Sequence, residues 1–171
     1  KGPYAAEEIF LDLKTFSKQD IAIFPEAEPE VLDSLGQRWQ VLECIPSVIV
    51  TSIRAVRQGV IPPSEISNIR IGLNIGAKIV RIELFRWLLE NGYERADCAE
   101  VKGEFAHRGG IIDIYPVNSD LPVRIELNSD VIESVRSFHP QSQCSLPKGK
   151  IPSYIYPIKN KNINDSLVTF D

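Results

Sequence analysis

The feature that most constrains the fold is a series of short apolar segments separated by turn residues in the middle of the chain. Strands are predicted at roughly 93–99, 103–108, 111–115, 122–127 and 131–138. Gly, Asn, Ser, Asp and Pro stand between these segments, and such residues favour turns. Because short connections favour antiparallel neighbours, the series is predicted to form an antiparallel meander.

A helix is predicted to precede the meander over residues 77–90. Apolar residues recur along one side of it at helical spacing, namely Ile79, Ile82, Phe85 and Leu89. Asn91-Gly92 is a typical helix end, and a strand is predicted over 69–73. Helix and meander together predict an α+β domain.

The first sixty residues alternate between helical and strand patterns, which is typical of an α/β domain. A short amphipathic helix is predicted over 4–16. Ile21–Phe24 and Val48–Val50 are continuous apolar runs, which indicate strands of a parallel sheet covered on both faces. A helix between them is predicted from its apolar stripe of Leu32, Leu35, Trp39 and Leu42.

A further helix is predicted over residues 53–58, because Ser52 is a suitable N-cap. Pro62-Pro63 interrupts the α/β pattern and is the predicted domain boundary. Asn160–Asp165 is polar and without pattern, so a loop is predicted there. Arg38 and Arg57, both in the α/β part, are expected to take no part in any docking surface.

Composition limits the classes of function. The chain has 171 residues and a net charge of −4, with a pI near 5.3, so nucleic acid is not the first partner expected. Its three widely spaced cysteines indicate neither a disulfide framework nor a zinc knuckle, and a reducing cytoplasm is the expected compartment. No segment has the pattern of a signal peptide or a membrane span. Lys1 at the start and the absence of Met lead us to expect a piece of a longer protein.

Charged residues alternate with apolar ones along Val123–Leu127. Arg124 and Glu126 are therefore predicted to share one face, about 7 Å apart at the rise of a strand. They could form a same-face charge pair, or simply belong to a solvated sheet face. Arg95 and Arg108 stand beside predicted turns, where an arginine can contact a partner or satisfy a nearby carboxylate. The candidate carboxylates are Asp97, Glu104 and Asp113.

Four motifs in this order resemble the UvrB-homologous module of bacterial transcription-repair coupling factors, the Mfd family: Gly92–Asp97, Gly103–Pro116, Val123–Leu127 and Asp130–Ser134. The resemblance implies a surface that docks the excision-repair protein UvrA. Residues at the matching positions are Arg95, Arg108, Arg124 and Glu126. Gly109-Gly110 is more similar to the coupling factors than to UvrB, and Ala106 replaces an arginine that UvrB uses. The corresponding region of UvrB, a damage-recognition protein, is the alternative.

The resemblance also implies the wider organisation. Residues 1–60 are expected to form part of a degenerate nucleotide-binding-type α/β domain, 61–148 an inserted α+β UvrA-interaction domain, and 149–171 a return segment. The longer protein is expected to be an ATP- and Mg-dependent double-stranded DNA translocase that displaces stalled RNA polymerase. For this chain, recognition without catalysis or cofactor is expected, since Gly149-Lys150 lacks the remainder of a phosphate-binding loop.

An enzyme of a different class is the second alternative. His107 and His139, with Cys98 or Cys144, could in principle form a metal site or a cysteine-nucleophile site. Their spacings repeat no known ligand pattern. A small metal- or cysteine-dependent hydrolase therefore remains the weaker of the two alternatives.

Overall fold

A computed structural model of the chain describes residues 4–28, 31–146 and 149–159. These residues form two compact units, the first ending at Asn68 and the second beginning at Ile69. The break lies a few residues after the predicted boundary at Pro62-Pro63, because Pro63 opens a short helix that is part of the first unit.

The first unit is α/β, as predicted. Its elements are α1 (Tyr4–Phe16), β1 (Ile21–Phe24), α2 (Leu32–Glu43), β2 (Val48–Thr51), α3 (Ile53–Arg57) and α4 (Pro63–Ile66). The two strands pair in parallel, with Ile21 opposite Val48. Ser52 caps α3, since its Oγ accepts a hydrogen bond of 3.1 Å from the backbone N–H of Ala55.

The prediction that both strands are covered on both faces is wrong for β2. Phe24 and Val50 are buried, but the side chain of Ile49 is 43 % exposed. Among the described residues, β1 and β2 form a sheet of only two strands, so each strand is an edge of the sheet. The faces of a two-stranded sheet are less completely buried than those of the larger parallel sheet that the apolar runs predicted.

Arg38, expected to take no part in docking, is buried in the first unit. It is 5 % exposed, and its guanidinium lies 4.2 Å from the centroid of the Phe24 ring. Its Nη1 donates hydrogen bonds to the carbonyl oxygen of Pro25 at 2.9 Å and to Oε1 of Gln58 at 3.1 Å. Burial lowers the pKa of Arg38 to about 10. The residue therefore supports the core of the first unit.

The second unit is α+β. Its elements are β3 (Ile71–Gly72), α5 (Arg81–Glu90), β4 (Glu94–Arg95), β5 (Glu104–Arg108), β6 (Ile111–Ile114), β7 (Val123–Asn128), β8 (Val131–Phe138), β9 (Ser145–Leu146) and β10 (Tyr154–Ile155). A six-stranded sheet runs in the order β4 to β9, and every pair from β5 to β9 is antiparallel. The predicted meander is confirmed.

The first strand of the sheet differs from the prediction. β4 has two residues instead of the predicted 93–99, and it pairs with β5 in parallel. The reason lies in the connection between them, where Oε2 of Glu104 accepts hydrogen bonds from the backbone N–H groups of Glu100 at 2.9 Å and Val101 at 2.8 Å. These hydrogen bonds hold the connection in a turn that returns the chain to a position beside the start of β4. β5 therefore runs in the same direction as β4.

The helix before the sheet differs in its start and its buried face. α5 begins at Arg81 rather than at residue 77, because Ala77 and Ile79 bond to the backbone near the start of β8. Leu84 and Leu88 are buried, whereas the predicted stripe residues Ile82 and Leu89 are 68 % and 56 % exposed. Of the predicted stripe, Ile79 and Phe85 do pack against the core, so the predicted face is right in part and wrong for Ile82 and Leu89.

Residues 149–159 lie in the second unit, and not in the first as the predicted return segment implied. β10 pairs with β3, and Tyr156 is fully buried. The hydroxyl of Tyr93, also buried, donates a hydrogen bond of 2.8 Å to the carbonyl oxygen of Tyr156. Burial of these apolar residues fixes the segment to the second unit. The remainder of the return segment, with the loop predicted at Asn160–Asp165, lies outside the described residues.

Across the parts of the chain that the structure describes, no helix combines the length and apolar character needed to cross a membrane.

Candidate functional site

The six-stranded sheet has one apolar face and one charged face. Apolar residues of the strands pack with Leu84 and Leu88 of α5 in a single core. The opposite side, which we call the outer face, carries Arg108, Asp113, Arg124, Glu126 and Arg136. Strand register aligns them, since Asp113 stands opposite Arg124 and Arg124 stands opposite Arg136. The alternation predicted for Val123–Leu127 is thus present, with Arg124 and Glu126 on one face.

Arg124 and Asp113 form a bidentate ion pair across β6 and β7. Nε of Arg124 lies 2.7 Å from Oδ1 of Asp113, and Nη2 lies 2.8 Å from Oδ2. The two side chains are only 18 % and 13 % exposed. The hydrogen bond to Asp113 raises the pKa of Arg124 above its ordinary value. Because this ion pair is so enclosed, loss of either partner would destabilise the fold as well as change the charge of the outer face.

Arg124 also fixes the turn after β8. Its Nη1 donates to the carbonyl oxygen of Gln143 at 3.2 Å, and its Nη2 donates to Oε1 of the same residue at 3.3 Å. The guanidinium lies 4.7 Å from the centroid of the buried Phe138 ring. Four of the five N–H groups of this arginine are therefore engaged within the unit.

Glu126 is held by two neighbours on β8. The hydroxyl of Ser134 donates a hydrogen bond of 2.8 Å to Oε2 of Glu126. Nη2 of Arg136 forms an ion pair with Oε1 of the same carboxylate. The side chains of Arg136 and Glu126 are 45 % and 32 % exposed, so this pair is far more open to solvent than Arg124–Asp113.

Arg108 is the exposed arginine at the end of β5. Its contacts are long, at 3.4 Å from Nη2 to the carbonyl oxygen of Asp97 and 3.5 Å to the sulfur of Cys98. It borders a cleft of about 230 Å³ that Asp113 and Arg124 also line. Such loosely held guanidinium groups on a rigid strand can bind a carboxylate of another molecule.

The double glycine after Arg108 has a specific geometric cause. Gly109 has a φ of +60°, in the left-handed region. At Gly110, a Cβ atom would lie 2.8 Å from the carbonyl oxygen of Leu127 on the neighbouring strand. The tight turn and the close approach of the two backbones therefore require this pair of residues.

Arg95 lies apart from the other three predicted site residues. It stands opposite Phe105, on the face that carries the core, and its Nη2 is 3.2 Å from Nδ1 of His107. His107 packs against the edge of Phe85 of α5, with ring centroids 5.0 Å apart. The structure therefore brings Arg108, Arg124 and Glu126 together and places Arg95 on the other side of the sheet.

Asp113 and Arg136 of the outer face, and Gln143 in the turn after β8, are not among the predicted docking residues. Asp113 is one of the carboxylates predicted to pair with Arg95 or Arg108, but its partner is Arg124. Alternation along β8 could have placed Arg136 on the outer face, whereas the contact of Gln143 depends on a turn whose geometry the sequence does not reveal.

The described ranges hold no cluster of three or more His, Cys, Asp or Glu side chains suited to a metal ion. Cys44 and Cys144 are exposed, Cys98 is partly buried, and all three are free thiols. His107, the candidate partner in a metal or cysteine site, contacts Arg95 and Phe85.

The UvrB interaction domain family matches residues 71–160, which is more than half of the chain. This chain belongs to the UvrB interaction domain family. The matched region begins at β3 and extends past β10, so the UvrB interaction domain includes α5, the six-stranded sheet and the whole outer face. The resemblance to this family that the motifs indicated is confirmed.

Relatives of two kinds are similar to this chain. A transcription-repair-coupling factor of Bacillus subtilis is 41 % identical over 100 residues, which are 58 % of this chain and 8 % of the relative. A UvrABC system protein B of Actinobacillus pleuropneumoniae is 33 % identical over 156 residues, which are 90 % of this chain and 22 % of the relative. A coupling factor of Haemophilus influenzae is 25 % identical over 88 % of this chain and 14 % of its own length. The chain thus spans less than a quarter of each of these relatives.

Proposed function

We propose that the chain is the recognition part of a transcription-repair coupling factor and that its outer face docks UvrA. The observation that carries this proposal is the exposed Arg108, which borders an open cleft in a domain of the UvrB interaction family. Arg124 and Glu126 lie on the same face of the same sheet. Because a rigid sheet already holds such charged side chains in place, less conformational entropy is lost when a partner binds.

Arginine suits this role for physical reasons. Its planar fork can hold a carboxylate through two parallel hydrogen bonds, and it is less strongly hydrated than lysine, so its burial in an interface costs less. Glu126 gives the outer face mixed sign, which improves register and partner choice more than affinity. Because Arg95 lies on the other side of the sheet, we expect it to contribute less than Arg108 to this docking.

The activity of the longer protein is also a proposal. We propose that it is an ATP- and Mg-dependent translocase on double-stranded DNA that displaces stalled RNA polymerase. The name of the coupling-factor relatives and the α/β character of the first unit support this proposal. For this chain we propose recognition without catalysis.

UvrB is the second candidate for the parent protein, because a UvrABC system protein B matches 90 % of this chain. Position 106 distinguishes the two candidate parent proteins, because Ala106 replaces an arginine that UvrB uses. Its methyl group is buried on the strand that carries Arg108, where it offers no charge to a partner. Ala106→Arg should therefore strengthen binding to UvrA if UvrB-type docking is the relevant mode, and should leave binding unchanged or weaker if the coupling-factor mode is.

Surface plasmon resonance with purified UvrA tests the docking proposal. Arg108→Ala is expected to weaken binding at least tenfold, because the variant loses an exposed guanidinium with few internal contacts. Arg57→Ala, on the exposed surface of α3, is the matched control and should bind as the unaltered chain does. Equal binding by the two variants would contradict the proposal.

A further inference from the structure

Arg136 is an arginine of the outer face that the predicted docking set does not contain. It stands opposite Arg124 in the strand register, and its side chain is 45 % exposed. Its contact with Glu126 uses Nη2. A guanidinium has five N–H donors, so this contact leaves several of them available to a partner.

Arg124 differs from Arg136 in both exposure and contacts. It is 18 % exposed, and its bonds to Asp113 and Gln143 leave at most one N–H group for another molecule. Binding a carboxylate through a fork requires two parallel donors. Arg124 could offer them only by giving up its bonds to Gln143 or to Asp113, whereas Arg136 can offer them while its Nη2 remains near Glu126.

We propose that Arg136 is a partner-contacting arginine of the outer face, that it binds a carboxylate of the docked protein, and that Glu126 is the residue that positions it. This inference rests on the proposed docking of UvrA. Glu126 is itself fixed by the hydrogen bond from Ser134, so it holds the long side chain of Arg136 in one orientation before the partner arrives. Such preorganisation lowers the entropy lost on binding.

The spacing of the exposed arginines defines the chemistry of the partner. Arg108 lies on β5 and Arg136 on β8, about 14 Å apart across three strand spacings and about 7 Å apart along the strands, so the two positions are separated by about 16 Å. The cleft beside Arg108 and the partly exposed Ile111 lie on the same face between them. This arrangement fits a protein surface with two separate acidic side chains and an apolar group between them.

A double-mutant cycle tests the inference on the full chain by surface plasmon resonance with UvrA. Arg136→Ala is expected to weaken binding at least tenfold, which is about 1.4 kcal/mol. Arg86→Ala is the matched control, since Arg86 is an exposed arginine of α5, on the opposite side of the same sheet. Thermal melts of each variant should match that of the unaltered chain within a few degrees, because both arginines are exposed.

The cycle separates a positioning role of Glu126 from a direct contact. Glu126→Gln keeps the size of the side chain and its hydrogen bond from Ser134 but removes the charge that holds Arg136. If Glu126 acts through Arg136, the double variant Glu126→Gln/Arg136→Ala should bind no more weakly than Arg136→Ala alone. Fully additive losses would overturn the positioning role.

Failure of this inference can be distinguished from failure of the docking proposal. If Arg108→Ala weakens binding and Arg136→Ala binds as Arg86→Ala does, the outer face docks UvrA but the role of Arg136 is wrong. If the unaltered chain does not bind UvrA, both proposals fail.

Discussion

Replacing Arg124 by methionine should destabilise the second unit, even though the residue stands on the outer face. Methionine keeps most of the apolar stem of the side chain and removes its charge. The carboxylate of Asp113, 13 % exposed, is then left without its partner. Removing one partner of a fully buried ion pair costs about 3–5 kcal/mol, and the partial exposure of this pair reduces the expected cost to about 2–3 kcal/mol.

The expected change in melting temperature follows from the size of the unit. For a unit of about 90 residues, each kcal/mol shifts the midpoint by about 4–8 °C, so Arg124→Met should lower it by about 8–24 °C. Trp87 lies in the second unit and packs near Tyr93, with ring centroids 6.4 Å apart. In a Trp39→Phe background, tryptophan fluorescence would report the unfolding of this unit.

A second substitution tests the physical reason for the loss. Asp113→Val combined with Arg124→Met removes the unpaired carboxylate and puts a β-branched residue on the strand, so at least half of the lost stability should return. If Arg124→Met melts within two or three degrees of its parent, or if adding Asp113→Val recovers nothing, the argument from the enclosed ion pair is wrong.

Four further substitutions also test the fold. Arg38→Ala removes a buried guanidinium together with its charge-assisted hydrogen bonds and its packing, so it should lower the free energy of unfolding of the first unit by about 2–4 kcal/mol, measured in urea. A cost below about 0.5 kcal/mol would contradict its buried position. Gly110→Ala should cost about 1–3 kcal/mol through the clash with the carbonyl of Leu127, whereas Gly109→Asn should be nearly neutral because Asn tolerates positive φ; equal melting temperatures would refute this. Burial raises the pKa of Tyr93, so above pH 10 the unfolded state loses the phenolic proton first and stability falls as pH rises. Tyr93→Phe should remove that part of the alkaline fall, and an unchanged pH profile would show that this phenol does not cause it.

Local patterns predicted the parts of the fold that depend on neighbours in the chain. The alternation of Val123–Leu127 correctly placed Arg124 and Glu126 on one face, and the turn residues correctly separated β5, β6, β7 and β8. Ser52 correctly marked the start of α3. In each case the signal lies within a few residues of the structure it determines.

Features that depend on distant partners were not predictable in this way. Both sides of α5 are apolar, so only packing against the sheet could select Leu84 and Leu88. The parallel pairing of β4 placed Arg95 on the core side of the sheet, and that pairing depends on the turn that Glu104 organises. The ion pair of Arg136 likewise depends on the register between β7 and β8, which includes a bulge between Glu126 and Leu127.

The most direct test of the central claim is photo-crosslinking from two matched positions of the second unit. A photoreactive phenylalanine analogue would replace Ile111, which lies on the outer face, or Ile82, which lies on α5 on the opposite side of the sheet. The account predicts that UvrA cross-links efficiently to the analogue at position 111 and not to the analogue at position 82. Cross-linking from position 82 without any from position 111 would contradict the claim that the outer face is the docking surface.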